Sequence, residues 1–330
     1  MATKGYQSYR GRMPRWKKIL IAVLILILIA AGLFLFLQDY QVFDKDGAHL
    51  NLPGVGQNQP VSSDEEGDAG NEVDLHIQEP AANTAELHGR TLDLARLESE
   101  DFSELQEGER PVFVLKAANG TMYDGDMALL REKIAGRDAV ARLSCFADTQ
   151  QAEADNSMAI MSVSGRTWRD PDGNSWLSPY SQAACDELLV LVRQCVELGF
   201  TEIVLDDVQF PNYGRVERMT FGDQEDTPQL RMDAILTFLD AVNTELDGTG
   251  VTLSISLPAD LLETQTDETA GWDLSAIAQK VDRIYMDAAD QAEADTARTA
   301  LSALREDADG KVFYAAETAE PVTGGSYVIG

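Results

Sequence analysis

The spacing of apolar positions divides the chain into three regimes. Residues 19–37, ILIAVLILILIAAGLFLFL, are apolar without a break. At about 1.5 Å per residue, such a run is just long enough to cross a hydrocarbon core of about 30 Å. Residues 38–88 have little apolar periodicity and are rich in Asp, Glu, Gly, Asn, Pro and Gln. That composition predicts a disordered acidic linker, and a flexible coil of about 50 residues spans roughly 40 Å. From residue 89 to 330, short β-rich runs alternate with stretches of helical spacing.

The runs expected as strands are 90–97, 111–116, 139–146, 202–208, 251–257, 282–286, 311–315 and 326–329. Between them, 180–198 places Leu188, Leu191, Val192, Cys195 and Val196 at helical spacing before the natural stop Gly199. Residues 228–246 repeat the pattern with Ile235, Leu236, Leu239 and Val242. Residues 126–134 and 291–304 read as outer helices, and a short one is expected near 101–106. Alternation of this kind predicts an α/β fold with a parallel sheet, and eight strands fit a closed (β/α)8 TIM barrel. The rival is an open doubly wound sheet, but no Gly-rich phosphate fingerprint follows any strand.

Charge fixes the expected orientation. Arg10, Arg12, Arg15, Lys17 and Lys18 precede the long apolar run, whereas Asp39, Asp44 and Asp46 follow it. By the positive-inside rule, residues 1–18 form a cytoplasmic basic tail, 19–37 a single transmembrane helix, and the remainder is extracytoplasmic. A cleaved signal peptide has an apolar region of about 7 to 15 residues ending in small residues. This run is longer and is followed by Gln38-Asp39-Tyr40, which favours an uncleaved anchor at the cell membrane. The formal charge is -30, with 26 Lys and Arg against 56 Asp and Glu. Such a surface repels nucleic acid and anionic headgroups, so no nucleic-acid partner is expected. Cys145, Cys185 and Cys195 read as packing residues. The last two sit ten positions apart on one predicted helix, too far to bridge.

The chemistry converges on residues 199–211, where a helix stop, a buried apolar run and two carboxylates are followed by Phe210-Pro211. Ligands of parallel α/β sheets bind beyond the carboxyl ends of the strands, which is where Asp206 and Asp207 fall. An Asp there is also a common turn cap. Strand alternation predicts that Asp207 points away from Asp206.

The pattern Gly199-Phe200-x-Glu202-Ile203-x-x-Asp206-x-x-x-Phe210-Pro211 resembles the signature of a bacterial family of glycoside hydrolase domains, (β/α)8 barrels distantly similar to the α-amylase group. Ala141-Arg142-Leu143 with Phe146-Ala147-Asp148 is similar to the third strand of that family, and Trp168, Asp170, Gly173, Trp176, Pro179 and Tyr180 match its aromatic loop. The resemblance covers roughly residues 110 to 290 and implies that Asp206 is the nucleophile or transition-state stabiliser. Several positions depart from the family pattern. Ser256 stands where an acid is expected after the fifth strand, Asp207 and Gln209 replace a Tyr and an Arg, and Val114 replaces an Asp before Lys116. In the loop Asp-Pro-Tyr, Ser178 takes the place of the Asp.

Glycoside hydrolysis normally needs two carboxyl groups. A serine hydroxyl cannot protonate a leaving group as a carboxylic acid can. Asp287 and Glu317 rank first as the catalytic partner, since they follow other strands and could face Asp206 across the mouth; Asp207 and Asp260 are further candidates. Lys116, Asp148, Asp207 and the aromatic residues Trp168, Trp176, Tyr180 and Trp272 are expected to contact a polysaccharide or cell-envelope glycan, because sugar C–H faces pack on aromatic rings. The opposing reading of each Trp is a brace for a long loop. The segment from Asp170 to Asn174 opens like a calcium loop but has Ser175 at position six and Ser181 at position twelve, so it reads as a turn. No metal or cofactor is expected. Three functions follow: a membrane-anchored hydrolase, a catalytically inactive glycan-binding barrel, or a scaffold for a basic envelope partner.

Overall fold

The computed structural model describes residues 41–44, 47–50, 86–97, 102, 105–307 and 312–330. The expected basic tail, the transmembrane run 19–37 and most of the linker lie outside the described residues, as does most of the short helix expected near 101–106. Among the described residues no helix is long and apolar enough to cross a membrane. Within the stretch expected as disordered linker, Gln41–Asp44 pairs antiparallel with Gly47–Leu50 as a small hairpin. That hairpin belongs to a unit spanning Met1–Asp74, and the barrel belongs to another, Leu75–Gly330.

The barrel is closed, and its eight strands run β1 His88–Thr91, β2 Arg110–Lys116, β3 Val140–Ser144, β4 Glu202–Asp206, β5 Thr252–Ser256, β6 Arg283–Asp287, β7 Phe313–Thr318 and β8 Ser326–Ile329. Every neighbouring pair is parallel. Closure is made by β8 against β1, with Tyr327 opposite His88 and Ile329 opposite Arg90. The strands fall close to the expected runs except the first, which ends early. Asp93 caps a 3-10 turn over Leu94–Arg96, and that turn takes the residues the apolar pattern had suggested for the strand.

Helices pack outside. They are α1 Met127–Ile134, α2 Thr149–Ala154, α3 Gln182–Leu198, α4 Pro228–Leu246, α5 Leu261–Thr264, α6 Leu274–Ala278 and α7 Gln291–Asp307. The longer ones begin at side-chain caps that satisfy backbone N–H groups of the first turn. Ser181 caps α3, which ends at Gly199 in the left-handed conformation (φ 100°), a position that costs any other residue steric strain. Thr227 caps α4 ahead of Pro228 at its first turn. Successive strand residues face opposite sides. Ile203, Leu205 and Ile255 therefore join the large core under the helices, while Leu87, Val112, Val140, Val204, Tyr285, Ala315 and Val328 fill a layer inside the barrel. Gly89 is required in that layer, because a Cβ there would lie 2.9 Å from a Val328 methyl.

Inside the barrel, buried Glu202 accepts hydrogen bonds from Arg283 Nε at 3.1 Å, Tyr285 Oη at 2.8 Å and Ser254 Oγ at 2.6 Å. Both members of the Glu202–Arg283 ion pair are sealed from solvent. Cys145, Cys185 and Cys195 are free and buried, as packing residues should be.

Candidate active site

The carboxyl ends of β4, β5 and β6 open into a cleft of about 590 Å³ that contains Asp206, Asp207, Ser256, Asp260, Trp272 and Asp287. The lining also includes Asp267 and Glu268, and no Lys or Arg. Two of the expected catalytic carboxylates, Asp206 and Asp287, thus share one space. Asp207 shares it too, contrary to the alternation expected of a strand. Its backbone is left-handed (φ 54°), so the strand stops at Asp206 and the next side chain is not flipped away. Ser144 Oγ donates to the Asp207 carboxylate at 2.6 Å and holds it in place.

The centre of the arrangement is Arg142 on β3, two positions before Ser144 and therefore on the same inner face. Arg142 Nε and Nη2 donate to the two oxygens of Asp206 at 3.0 and 2.5 Å, and Nη1 donates to Glu317. Ser256 Oγ donates to the other Glu317 oxygen at 2.9 Å. Glu317 is consequently occupied on both oxygens and does not line the cleft, whereas Asp287, its partner in the β6–β7 register, does. Ser256, standing at the position where the family pattern has an acid, serves here to orient Glu317.

Burial pushes the Asp206 carboxyl up to about 6, against the pull of Arg142, while Glu317 and Asp207 add to the rise. Above that pH it is a carboxylate facing a guanidinium. Burial also works against the charge on Arg142, but Asp206 and Glu317 outweigh it and hold the cation above its ordinary range. Asp287 is raised from the ordinary carboxyl value by burial and then by Glu317, with Arg142 opposing. Asp207 is raised mainly by burial, with Ser144, Lys116 and Arg142 opposing.

Other residues expected to contact substrate have internal tasks. Lys116, at a register shift between β2 and β3, pairs with Asp148 at 3.0 Å and donates to the carbonyls of Ser144 and Cys145. Asp148 caps α2 by accepting from Gln151 N at 2.8 Å. Both belong to a separate depression. Trp168, Trp176 and Trp272 are buried, not exposed, and each indole N–H is spent: on Arg215 O, on an Asp170 carboxylate oxygen and on Val208 O respectively. They brace loops, and only Trp272 also touches the cleft. Tyr180 packs on Phe210 and Phe221 and donates to Asp226, and it does not line the cleft that holds Asp206. Asp170 closes the 170–174 turn and anchors Trp176 and Tyr213.

A parallel eight-stranded barrel with carboxylates gathered at its C-terminal mouth has the architecture of a TIM-barrel enzyme. The chain belongs to the family described as "Putative glycosyl hydrolase domain", whose model matches residues 109–286. Among solved structures it is similar to a hypothetical protein from Ruminiclostridium thermocellum, with 25% identity over 51% of this chain and 96% of that chain and a TM-score of 0.41. It is also similar to the glycoside hydrolase domain of PgaB (BpsB) from Bordetella bronchiseptica (11% identity, 70% and 84% covered, TM-score 0.49). A third similarity is to the glycoside hydrolase domain of PelA from Pseudomonas aeruginosa (12% identity, 71% and 83% covered, TM-score 0.42). No curated protein matches the sequence.

Proposed function

We propose that this chain is a glycoside hydrolase acting on an extracytoplasmic polysaccharide and held at the membrane by residues 19–37. The observation that carries the reading is the shared cleft of Asp206 and Asp287, with Arg142 bonded to the first and not to the second. In this reading Asp287 donates its proton to the glycosidic oxygen, and the leaving sugar departs as an alcohol. Asp206, ionised above about pH 6, stabilises or attacks the anomeric carbon, and water completes hydrolysis. A sugar seated in the cleft removes water from Asp287 and raises its affinity for the proton further, the direction in which burial already acts. The many acceptors of the cleft suit sugar hydroxyls. The strand-four position of Asp206 also supports the distant kinship with the α-amylase group.

The test is release of reducing ends from a panel of envelope and matrix polysaccharides by the full chain. Asp287→Asn should lower turnover roughly 10²- to 10⁴-fold, the usual contribution of a general acid. Turnover that survives Asp206→Asn would sink the reading. Added protease should cleave the barrel domain on intact spheroplasts; resistance there and sensitivity only after lysis would overturn the orientation. A second reading, a glycan-binding barrel without turnover, is favoured by the engagement of Glu317 with Arg142 and Ser256. It predicts glycan binding with no product from any substrate.

A further inference from the structure

One cavity runs against the charge of the whole chain. It measures about 520 Å³ and is lined by Arg166, Arg169, Arg215 and Arg218 together with the hydroxyls of Ser162 and Ser164. Four of the 26 basic residues of a chain carrying 56 acidic ones thus gather in one place. They come from two loops, those following β3 and β4. A short antiparallel pair, Met161–Ser162 against Met219–Thr220, joins the loops. Val163 N donates to Arg218 O at 2.9 Å and Trp168 Nε1 to Arg215 O at 3.0 Å, so the backbones that carry the arginines are fixed. This is the internal task that buries Trp168.

Glu153 is the one carboxylate in the lining, and it is already taken by Arg169 and by Ser175 Oγ. No carboxylate among the described residues pairs with Arg166, Arg215 or Arg218. Arg166, Arg215 and Arg218 are exposed and have no paired carboxylate among the described residues, so their guanidinium groups repel one another, and the repulsion is relieved by an oxyanion. The residue type narrows the ligand: Lys is absent from the lining, and the planar fork of Arg matches phosphate or carboxylate through two parallel hydrogen bonds.

We infer that this cavity is a second binding site, taking a phosphate or carboxylate group carried on a glycan chain. The oxyanion part of the inference is independent of the hydrolase reading, while the glycan part rests on it. Arg215 lines this cavity and Asn212 lines the carboxylate cleft, so only Tyr213 and Gly214 intervene, and the two linings are three chain steps apart, roughly 10 Å at full extension. Both open from loops at the carboxyl ends of the strands. A polymer lying over the β4 loop would meet acceptors at one end and guanidinium groups at the other. The negative field of the rest of the molecule disfavours free anions, so an anion delivered on a tethered polymer is better suited to the site. The sign of the two linings also sets the direction of the chain, with an uncharged unit over Asp206 and the anionic one over the arginines.

The experiment is calorimetric titration of the full chain in zwitterionic micelles with inorganic phosphate and with length-matched neutral, carboxylated and phosphorylated oligosaccharides. The anionic oligosaccharides should bind roughly tenfold or more tightly than the neutral one, as expected for one charged hydrogen-bonded contact, and lose that advantage as salt rises. The two anionic arms tell phosphate from carboxylate. Combined Arg215→Ala and Arg218→Ala should abolish the advantage. The backbone carbonyl that receives Trp168 survives that change, and the Lys–Lys variant should restore part of the affinity. Equal binding of neutral and anionic oligosaccharides, or an unaltered advantage in the double variant, overturns the inference. Anion binding with no turnover of any polysaccharide would support this site while failing the hydrolase reading; turnover with no anion preference would do the reverse.

Discussion

Arg142 and Asp206, on neighbouring strands, form a two-pronged ion pair, and the remaining guanidinium nitrogen of Arg142 is spent on Glu317. A single planar cation thereby sets the positions of two carboxylates. Lysine carries its charge at one point and cannot reproduce the two parallel bonds. Arg142→Lys should therefore keep the fold while misplacing Asp206, and it should lower kcat more than it raises KM. Removing the cation altogether in Arg142→Ala takes away the influence that lowers the Asp206 proton affinity. The acid limb of the pH–rate profile should then move upward from about pH 6. A profile that stays in place in both variants would show that Arg142 does not govern Asp206.

Stability carries the same signature. The folded protein holds the Asp206 proton more tightly than the unfolded chain does, because burial raises the carboxyl from 3.8 to about 6. The stability contributed by this group is full below the unfolded value and is lost as pH rises through about 6. Relative to the wild type, Asp206→Asn should gain stability between about pH 4 and about pH 7, whatever offset the loss of the Arg142 bond introduces. Urea midpoints of the two proteins, compared at both ends of that range, check the sign.

Inside the barrel the Glu202–Arg283 pair is sealed from solvent, and the hydrogen bonds from Ser254, Arg283 and Tyr285 converge on one carboxylate oxygen, Oε1 of Glu202. Removing one partner leaves a buried charge without compensation, at a cost of about 3 to 5 kcal/mol. Glu202→Ala and Arg283→Ala should each lower the denaturation midpoint accordingly, with the denaturant slope unchanged. The double replacement by apolar residues of similar volume should cost less than the sum.

The barrel was legible because its signals are local and repeated: the helix stop at Gly199, the helical spacing of apolar residues through 180–198 and 228–246, and apolar runs of strand length. The site was legible only in part. Asp206 stood out at the end of a buried run, and Asp287 and Glu317 were singled out by their places at strand ends, yet only Asp287 lines the cleft, while Glu317 is engaged by Arg142. A signal for Arg142 did exist, since a charged residue at 142 within the apolar run 139–146 must find a partner, but its partners lie 64 and 175 positions away. The aromatic residues left two readings open in the sequence, contact with a sugar or a brace for a loop. Composition places Trp168 and Trp176 in a loop beside carboxylates, but only the fold reveals that the indole N–H groups point into Arg215 O and Asp170.

Asp207 separates what alternation predicts from what backbone geometry allows. Its φ of 54° lies where a Cβ crowds the following carbonyl at a cost of about 1 to 2 kcal/mol, a cost that Asp and Asn bear better than most residues. That conformation ends β4 and keeps Asp207 on the cleft side, where Ser144 holds its carboxylate. Three replacements divide these contributions. Asp207→Asn retains both the tolerance for this conformation and an oxygen for Ser144, so its stability should remain near that of the wild type. Asp207→Gly removes the steric cost but also the Ser144 bond, a loss of about 1 kcal/mol. Asp207→Val loses the bond and adds a β-branched side chain in the left-handed region, so it should fall below the glycine variant by at least about 1 kcal/mol. Thermal melts of the three variants decide the matter: if Val and Gly melt together, the left-handed turn is not what terminates β4, and the shared orientation of Asp206 and Asp207 must have another cause.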